Sequence, residues 1–464
     1  MSKLWDKGYA LDKLIEEFTV GEDPLLDQRL VAADCIASMA HAKMLARIDV
    51  LTPQEYEALR RELSAIVQLN LEGRFSIRRE EEDCHTAIEN RLVESVGEAG
   101  KKIHTGRSRN DQVIAALRLY TRSFLLQFQG AVLDLVQVLL VFAERHKDLP
   151  MPGRTHLQVA MPSSIGLWTG AWLEELLDDL LVLDAAYSLN NSCPLGSAAS
   201  YGVPLPLDRE MVAESLAFDR VQNNVLYVNN SRGKFESIVL DAVEQVVLTL
   251  SKLAQDLILF SLPEFGYFRL PDELFAGSSI MPQKKNPCML ELLRAKAATV
   301  SSCSTQVKSI IRALPSGYNR DFQETKAPFL RGLDLALISV RVMREVIEKL
   351  EPDAERLREG FTPDIYATDR ALELVARGMP FRDAYRSVGT DLGALEKGDP
   401  DEVIRSRTYT GTSGNLGLDL AATELGRRRD QLISRKAKIE AKLKALAGFN
   451  VSLQGQQRSA GASA

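Results

Sequence analysis

The segment at residues 277–287 reads Gly277-Ser278-Ser279-Ile280-Met281-Pro282-Gln283-Lys284-Lys285-Asn286-Pro287. Its first residue has no Cβ, so the backbone there can adopt angles closed to other residues. Its last residue, Pro287, has no N–H and a fixed φ, which suits the first position of a helix, and Asn286 is therefore predicted to be the helix N-cap. The apolar spacing from Met289 to Leu314 predicts that helix.

This arrangement puts positive charge and a flexible serine side by side. Lys284 and Asn286 would lie at the positive end of the helix dipole, where an anion is held. Ser278 lies a few residues upstream, and the combination suits chemistry on a carboxylate. A Gly/Ser linker running into an ordinary helix is the alternative, and the Gly-Ser-Ser triplet alone would favour it; the whole stretch favours a site.

The stretch resembles the signature of the fumarase/aspartase superfamily, whose members eliminate a group from a succinyl-type substrate and release fumarate. The resemblance implies that Ser278 is the general base. It also implies that Lys284 and Asn286 bind the substrate carboxylate. We call residues 273–287 the signature loop.

Composition indicates a soluble globular protein. The chain has 464 residues, 45% of them hydrophobic and 26% charged, and a formal net charge of −6, which gives no reason to expect nucleic-acid binding. The sequence contains no run of 18 apolar residues, so no membrane span is predicted. The segment from Met1 to Lys7 lacks the features of a secretory signal. The five cysteines and five histidines show no metal-ligand spacing, so we expect no metal, reduced thiols and a cytoplasmic protein.

Hydrophobic periodicity predicts a mainly α protein. Towards the N-terminus, helices are expected over 25–48, after a capping box at Thr52-Pro53-Gln54-Glu55, and over 82–96. Long amphipathic segments at 111–147, 164–190, 234–261, 288–314 and 323–350 predict an elongated bundle. The apolar faces of helices this long would remain partly exposed to water in a single subunit. The bundle is therefore expected to assemble into a tetrameric helix core.

Three helical domains are expected. They are an N-terminal domain at 1–108, a central long-helix bundle at 109–356 that includes the signature loop, and a small C-terminal domain at 357–464. Pro380-Phe381-Arg382 predicts a turn between two helices of the last domain, and the polar tail 454–464 is expected to be disordered.

A second constellation, residues 104–112, reads His-Thr-Gly-Arg-Ser-Arg-Asn-Asp-Gln. Its arginines, hydroxyls and amide can clamp carboxylates through charge-assisted hydrogen bonds, although a helix cap beside a solvated charge run is the alternative. The block closely resembles that of the argininosuccinate lyase family. The resemblance implies that Ser108, Arg109 and Asn110 bind substrate.

A third constellation is Gly153-Arg154-Thr155-His156-Leu157-Gln158. A histidine in such a loop is more often structural than catalytic. The block resembles the same family, which implies that His156 lies near the leaving nitrogen and Thr155 bonds a substrate carboxylate. Glu291 matches the glutamate that the family pairs with this histidine. The alternative is that Glu291 is a solvent-exposed acid in the first turn of a helix, where its charge offsets the helix dipole.

A fourth block, Tyr318-Asn319-Arg320-Asp321-Phe322-Gln323-Glu324-Thr325-Lys326, also resembles this family. By that match Tyr318, Arg320, Gln323 and Lys326 hold the amino-acid part of the substrate; a polar loop between helices is the alternative. The resemblance also implies that His85 lies at the edge of the site.

Some positions depart from the family pattern. Arg154 stands where a tyrosine is usual, Met161 replaces a glutamine, and Gly233 follows Arg232 where an aspartate is common. The segment 19–26 lacks the family's substrate-binding serine, so its contribution to the site is left open.

Taken over nearly the whole chain, the resemblance implies β-elimination of argininosuccinate to arginine and fumarate, without a cofactor. It further implies a homotetramer whose active sites are shared between subunits. Two alternatives remain: another fumarate-releasing lyase, acting on adenylosuccinate or aspartate, and a non-enzymatic protein that resembles the lens crystallins of this fold.

Overall fold

The fold is taken from a computed structural model, which describes residues 12–453. The expected disordered tail and the N-terminal stretch Met1 to Lys7 lie outside the described residues. The helices are α1 (Lys13–Val20), α2 (Asp23–Asp27), α3 (Val31–Arg47), α4 (Pro53–Leu71), α5 (Cys84–Val96), α6 (Glu98–Lys102), α7 (Arg109–His146), α8 (Ile165–Asn190), α9 (Arg209–Ser215), α10 (Val225–Asn230), α11 (Lys234–Phe260), α12 (Cys288–Ile311), α13 (Lys326–Glu348), α14 (Ala354–Glu359), α15 (Ala367–Ala376), α16 (Phe381–Thr390), α17 (Pro400–Ser406) and α18 (Leu418–Ala447).

The strands are short and pair in twos. They are β1 (Pro150–Thr155) with β2 (Gln158–Ser164), β3 (Ser192–Cys193) with β4 (Arg220–Val221), and β5 (Phe268–Arg269) with β6 (Glu351–Pro352). The prediction of a mainly α protein built on long helices is therefore confirmed, since all five long segments fold as helices within a few residues of their expected bounds.

The five longest central helices are α7, α8, α11, α12 and α13, and each runs antiparallel to the one before it in the chain. Arg118, near the start of α7, donates to the carbonyl oxygen of Ser192, just past the end of α8, at 2.7 Å. Trp168, near the start of α8, donates to Asp256, near the end of α11, at 2.9 Å. Helix α12 runs back along α11, and α13 returns along α12.

This alternation gives the bundle two distinct ends. One end holds the starts of α7, α11 and α13, and the other holds the starts of α8 and α12. Helix α12 has 24 residues, so the ends are about 36 Å apart at 1.5 Å per residue. A loop that enters or leaves one of these helices therefore belongs to one end or the other.

Helix α7 forms the centre of the core. It is long and apolar enough to cross a membrane by length and composition, but most of its apolar stretch is buried inside the protein. Two buried arginines lie on it, and Arg122 donates to the backbone carbonyls of Leu216 and Ala217. A buried guanidinium needs such hydrogen-bond partners, so this part of α7 belongs to the packed core.

Towards the N-terminus, the prediction of a single helix over 25–48 is wrong and two other predictions are confirmed. The chain leaves α2 after Asp27 and re-enters a helix at Val31. The Gln28 side chain explains the break, since it donates to Asn70 and to the carbonyl of Phe75. The capping box at Thr52 is present, and α5 ends before Gly97.

The C-terminal region has a long helix of its own. Helix α18 has 30 residues and packs along α7, and its Arg428 donates to Asp184 of α8 at 2.6 Å. The predicted turn at Pro380 lies between α15 and α16, as expected. The division into three domains remains a prediction.

Candidate active site

The signature loop is closed at its base by a short antiparallel bridge. The backbone N–H of Ala276 donates to the Asn286 carbonyl at 3.1 Å, and the Asn286 N–H donates back at 3.0 Å. The residues between them project from the bundle, and Ile280 at the loop tip is 83% exposed. A loop fixed at its base and free at its tip has the geometry of a closing lid.

Ser278 lies on the inner side of this loop, facing its own backbone. Its hydroxyl oxygen accepts from the N–H of Met281 at 3.1 Å and from the N–H of Ile280 at 3.4 Å. Two N–H groups aimed at one oxygen would stabilise that oxygen further if it lost its proton. The loop therefore supplies the backbone amides that a serine base needs.

The two lysines of the loop differ in their partners. Lys285 forms an ion pair with Asp272, at the start of the loop. The exposed Lys284 side chain has no hydrogen bond or ion pair with any residue from 12 to 453. Its ammonium is thus available to an anion, as the sequence predicts.

The expected helix N-cap at Asn286 is wrong. Helix α12 begins at Cys288, Pro287 occupies the cap position, and no side chain caps the helix. The reason is the bridge to Ala276, which commits the Asn286 backbone to an extended conformation. The Asn286 amide instead donates weakly to the Gly277 carbonyl at 3.4 Å, which keeps it beside Ser278.

The third constellation forms the tip of a β-hairpin, which the sequence did not predict. Thr155 pairs with Gln158 across the turn, and the two residues between them both adopt left-handed backbone angles, with φ of 53° for His156 and 63° for Leu157. Such a turn matches the twist of the flanking strands but is costly for residues other than glycine, asparagine and aspartate. Strain of this kind is concentrated at functional sites.

Arg154 braces this tip against the chain that leads into the signature loop. Its guanidinium donates to the Leu157 carbonyl at 2.9 Å and to the Tyr267 hydroxyl at 3.3 Å, and lies 4.6 Å from the centre of the Phe265 ring. The departure from the family's usual tyrosine therefore has a structural use: the arginine joins the hairpin to the segment just before β5.

The second constellation caps α7. Ser108 and Asp111 form a capping box at its N-terminus, so the helix-cap alternative describes these two residues correctly. Arg109 is half-buried and lies 3.3 Å from Glu82 and 3.4 Å from Asp83. Asn110 is half-buried; its backbone N–H donates to the Ser108 hydroxyl at 3.2 Å, and its side-chain amide has no hydrogen bond with any residue from 12 to 453.

His85 lies behind this block in a buried charge network. Its Nδ1 is 3.0 Å from an Asp34 carboxylate oxygen, and Gln112 donates to both oxygens of the same carboxylate at 2.9 Å. Burial opposes protonation of the ring, but Asp34 and its acidic neighbours raise the pKa of His85 above its ordinary value. His85 is 4% exposed, so it lies behind the candidate site rather than lining an open surface.

The fourth block faces the N-terminal segment that the sequence left open. Gln323 donates to the carbonyls of Thr19 and Val20 at 3.1 and 3.3 Å, and Arg320 donates to Thr19 at 2.7 Å. Tyr318 is 38% exposed beside them. Three of the four predicted residues therefore contact the chain between Thr19 and Asp27, since Lys326 reaches the two aspartates of α2.

Lys326 is buried between these two carboxylates, which sequence reasoning missed. Its ammonium lies 2.6 Å from Asp23 and 2.7 Å from Asp27. Burial raises the pKa of Asp23 to about 6, while the two carboxylates raise the pKa of Lys326 against the effect of its own burial. Nothing local in the sequence signals this triad, because the lysine and the aspartates are about 300 residues apart.

These blocks divide between the two ends of the bundle. The signature loop, the hairpin tip and Glu291, in the first turn of α12, belong to one end. The blocks at 104–112 and 318–326 belong to the other, about 36 Å away. Among residues 12–453, no hydrogen bond or ion pair joins His156 to Glu291. One subunit thus carries the candidate residues in two separate groups, which we call candidate half-sites.

Comparisons with known proteins identify the family. A family model described as Lyase matches residues 7–302. An argininosuccinate lyase of Sorangium cellulosum is 46% identical over 429 residues, which cover 92% of this chain and 99% of that protein. One of Thermotoga neapolitana is 45% identical over 84% of this chain and 98% of that protein.

The chain belongs to the argininosuccinate lyase family.

The fold of this argininosuccinate lyase family member agrees with solved structures of more distant relatives. An EDDS lyase in complex with formate superposes with a TM-score of 0.80 at 23% identity over 95% of both chains. A class II fumarase from Schistosoma mansoni gives 0.70 at 16% identity, over 85% of this chain and 95% of that one. The predicted superfamily, family and carbon–nitrogen lyase class are confirmed.

One buried cluster in this family member has the composition of a metal site. Ligand atoms of Asp27, Cys84 and His85 lie within 4.8 Å of one another. Asp27 is already bound by the Lys326 ammonium, His85 by Asp34, and burial raises the pKa of the Cys84 thiol well above its ordinary value. An ammonium at the cluster and a protonated thiol both oppose a cation, so these contacts favour a structural role.

Proposed function

We propose that this protein is an argininosuccinate lyase that splits argininosuccinate into arginine and fumarate by β-elimination. The observation that carries the proposal is the position of the Ser278 hydroxyl opposite the N–H groups of Ile280 and Met281. The same loop presents Lys284, whose ammonium has no partner among the described residues. A serine is a very weak base unless its alkoxide is stabilised, and this loop offers the donors that do so.

The reaction places extra negative charge on a carboxylate. Ser278 removes the proton from the carbon that is β to the leaving nitrogen and α to a carboxylate. The carbanion is delocalised into that carboxylate, which becomes a doubly charged aci-form. Lys284, the amide of Asn286 and the N-terminus of α12 supply fixed positive charge and donors for it.

Protonation of the leaving nitrogen is assigned to His156. The hairpin tip holds this side chain exposed on a strained turn, where it can reach a substrate bound against another subunit. Glu291 then orients the ring and stabilises its protonated form. Thr155, beside it, binds a substrate carboxylate. No cofactor takes part, because side chains supply all of the charge stabilisation.

The other half-site holds the amino-acid part of the substrate. Ser108, Arg109 and Asn110 at the start of α7 bind it from one side, with His85 behind them. Tyr318, Arg320, Gln323 and Lys326 bind it from the other. The acid-rich segment 19–27 completes this wall, since it contacts three members of the second group.

We propose further that the active protein is a homotetramer with shared sites, located in the cytoplasm. Two half-sites about 36 Å apart become complete sites only when the end of one bundle meets the opposite end of another. Apolar side chains lie exposed along the long helices, among them Leu181 (56%), Leu248 (41%) and Ile338 (45%). Pairing the bundles lengthwise would bury them.

Fumarate release, followed by its ultraviolet absorbance, tests the function. The purified protein is given argininosuccinate, adenylosuccinate or aspartate in separate assays. Turnover of argininosuccinate alone is the expected result. Turnover of another substrate in its place would make the protein a different fumarate-releasing lyase, and no turnover of any would favour the crystallin-like alternative.

A further inference from the structure

A loop outside all four constellations lies at the amino-acid half-site. It spans residues 194–202, after β3, and reads Pro194-Leu195-Gly196-Ser197-Ala198-Ala199-Ser200-Tyr201-Gly202. Every second residue from Gly196 to Gly202 has a left-handed backbone, with φ of 81°, 51°, 82° and 72° in turn. This conformation is strained at Ala198 and Ser200, because they carry a Cβ. The surrounding structure must therefore hold the loop in place.

Asp111 holds the loop from one side. Its carboxylate, fully buried, accepts from the N–H of Gly196 at 3.1 Å and from the N–H of Ala198 at 2.8 Å. The other carboxylate oxygen accepts from the N–H of Ser108. One side chain thus ties the loop to the block that contains Asn110.

The other side of the loop reaches the fourth block. The hydroxyl oxygens of Ser200 and Tyr201 both lie 3.8 Å from the position that a Cβ on Gly317 would occupy. Gly317 directly precedes Tyr318, and its N–H is fixed by the Asn230 side chain at 2.9 Å. The loop therefore spans the gap between the two groups of residues that are proposed to hold the amino-acid part.

Tyr201 has the properties of a binding residue rather than of a packing residue. It is 75% exposed, whereas Ser197 and Ser200 next to it are buried. Its hydroxyl has no hydrogen-bond partner within residues 12–453. Two of the predicted binding residues of this half-site are already engaged: Lys326 by two aspartates, and Arg320 by a backbone carbonyl. A carboxylate arriving here needs a further donor.

We propose that Tyr201 is a further substrate-binding residue, whose hydroxyl donates to the α-carboxylate of the arginine moiety. The strained loop 194–202, fixed by Asp111, holds the Tyr201 hydroxyl beside Gly317, the residue before Tyr318, before substrate arrives. This role rests on the proposed function. It assigns Tyr201 to the arginine moiety and not to the fumarate moiety, which the signature loop binds.

The reverse reaction separates the two moieties, because arginine and fumarate are then added independently. Tyr201→Phe removes only the hydroxyl. We expect the KM for arginine to rise about tenfold, since a hydrogen bond to a charged group is lost. The KM for fumarate should change less than about twofold. Tyr409→Phe is the matched control, since Tyr409 is also 75% exposed but belongs to the loop before α18.

Each outcome decides the assignment. Unchanged constants in Tyr201→Phe, beside a wild-type enzyme that releases fumarate from argininosuccinate, would overturn the role of Tyr201 alone. Equal rises in both KM values, or the same rise in Tyr409→Phe, would point to a general structural effect and overturn it as well. A wild-type enzyme without activity on argininosuccinate would reject the proposed function and this role with it.

Discussion

The ammonium nitrogen of Lys326 lies 2.7 Å from a carboxylate oxygen of Asp27, 299 positions away in the chain. Both side chains are buried, and Asp23 approaches the same ammonium at 2.6 Å. Removing the lysine would leave two carboxylates in the interior without their counter-charge. The contact joins α13 to the N-terminal segment. Its loss should therefore lower the stability of the fold as well as disturb the candidate site.

Lys326→Met should therefore lower the free energy of unfolding by about 3–5 kcal/mol, the cost of an uncompensated buried charge. Urea unfolding at a fixed protein concentration measures it. Lys101→Met is the control, because the ion pair of Lys101 with Glu98 is exposed and is worth about 1 kcal/mol or less. Equal effects of the two substitutions would show that the buried triad contributes no special stability.

Ser278→Ala should reduce kcat by several orders of magnitude while substrate still binds, because the base is lost and the binding groups remain. Fumarate release and equilibrium binding of argininosuccinate are the two measurements. Ser279→Ala serves as the control, because it removes the hydroxyl of the exposed neighbouring residue and leaves Ser278 unchanged. Near-normal turnover by the Ser278 variant would reject its assignment as the base.

His156→Asn should lower kcat by roughly a hundredfold or more, the usual contribution of a general acid. Asparagine tolerates the left-handed angles of this position, so the hairpin is expected to persist. Leu157→Asn, at the neighbouring left-handed position, should keep most of its activity. If the His156 variant did so too, proton donation would have to come from water or from another group.

A mixture of two inactive variants should recover activity if sites are shared. Ser278→Ala and Asn110→Ala alter opposite ends of the bundle, so random reassembly leaves about a quarter of the sites with both groups intact. Activity after denaturation and refolding of the mixture gives the measurement. Ser278→Ala mixed with Lys284→Ala is the control, because both substitutions affect the same half-site. A mixture that stayed inactive in both cases would contradict shared sites.

Asp179 gives a prediction for the pH dependence of stability. Burial raises its pKa to about 6 from an ordinary value of 3.8, although Thr249 donates to it at 2.8 Å. Between these pH values the folded state binds more protons than the unfolded state, so the free energy of unfolding falls as pH rises through this window. That loss is complete above about pH 6.

Asp179→Asn removes the charge that causes this loss. The variant should match the wild type near pH 4 and exceed it by about 1–2 kcal/mol at pH 7. Urea unfolding across the pH range measures the difference. Asp178→Asn, at the exposed neighbouring position, removes only one of the smaller contributions to the raised pKa of Asp179, so its pH-dependent gain should be smaller. A constant offset at every pH would mean that Asp179 does not titrate in the expected range.

The long helices were predictable because their signal is local and repeats. Phe124 and Phe128, four residues apart on α7, are both buried in the core, as the apolar period requires. The break in the helix after Asp27 was not predictable, because it depends on the contact of Asp27 with Lys326 and on the contacts of Gln28 with distant residues. Tertiary contacts of that kind override a helical pattern that continues through the break.

The hairpin formed by β1 and β2 was not predicted because of its amino-acid composition. Pro150, Pro152 and Pro162 interrupt the alternation that predicts a strand, and Gly153 lies at a register shift where a Cβ would meet the Met161 carbonyl at 2.7 Å. A proline-rich edge pair is stable here because the bundle supports it. The bridge from Ala276 to Asn286 is equally short, which is why the helix start was misplaced by one residue.

The candidate residues were predictable in identity but not in arrangement. Motifs supplied Ser278 and Lys284, yet gave no sign of Asp23 or of the loop around Tyr201, whose signal is only a run of small residues. Gly233, a departure from the family, has a simple structural reason: its φ is 75°, and a Cβ there would clash with the Ile311 side chain. Backbone angles and distant charge partners carry no local pattern in the sequence.

The length of the antiparallel helices also sets the distance between the two candidate half-sites. In the proposed tetramer, the signature loop and the amino-acid half-site lie at opposite ends of the same bundle, so the helix length sets where the loop of one subunit meets its neighbour. One extra helical turn in α12 would shift that arrival by about 5.4 Å, far beyond the tolerance of a hydrogen bond. The number of turns in the bundle is thus constrained by chemistry that takes place outside it.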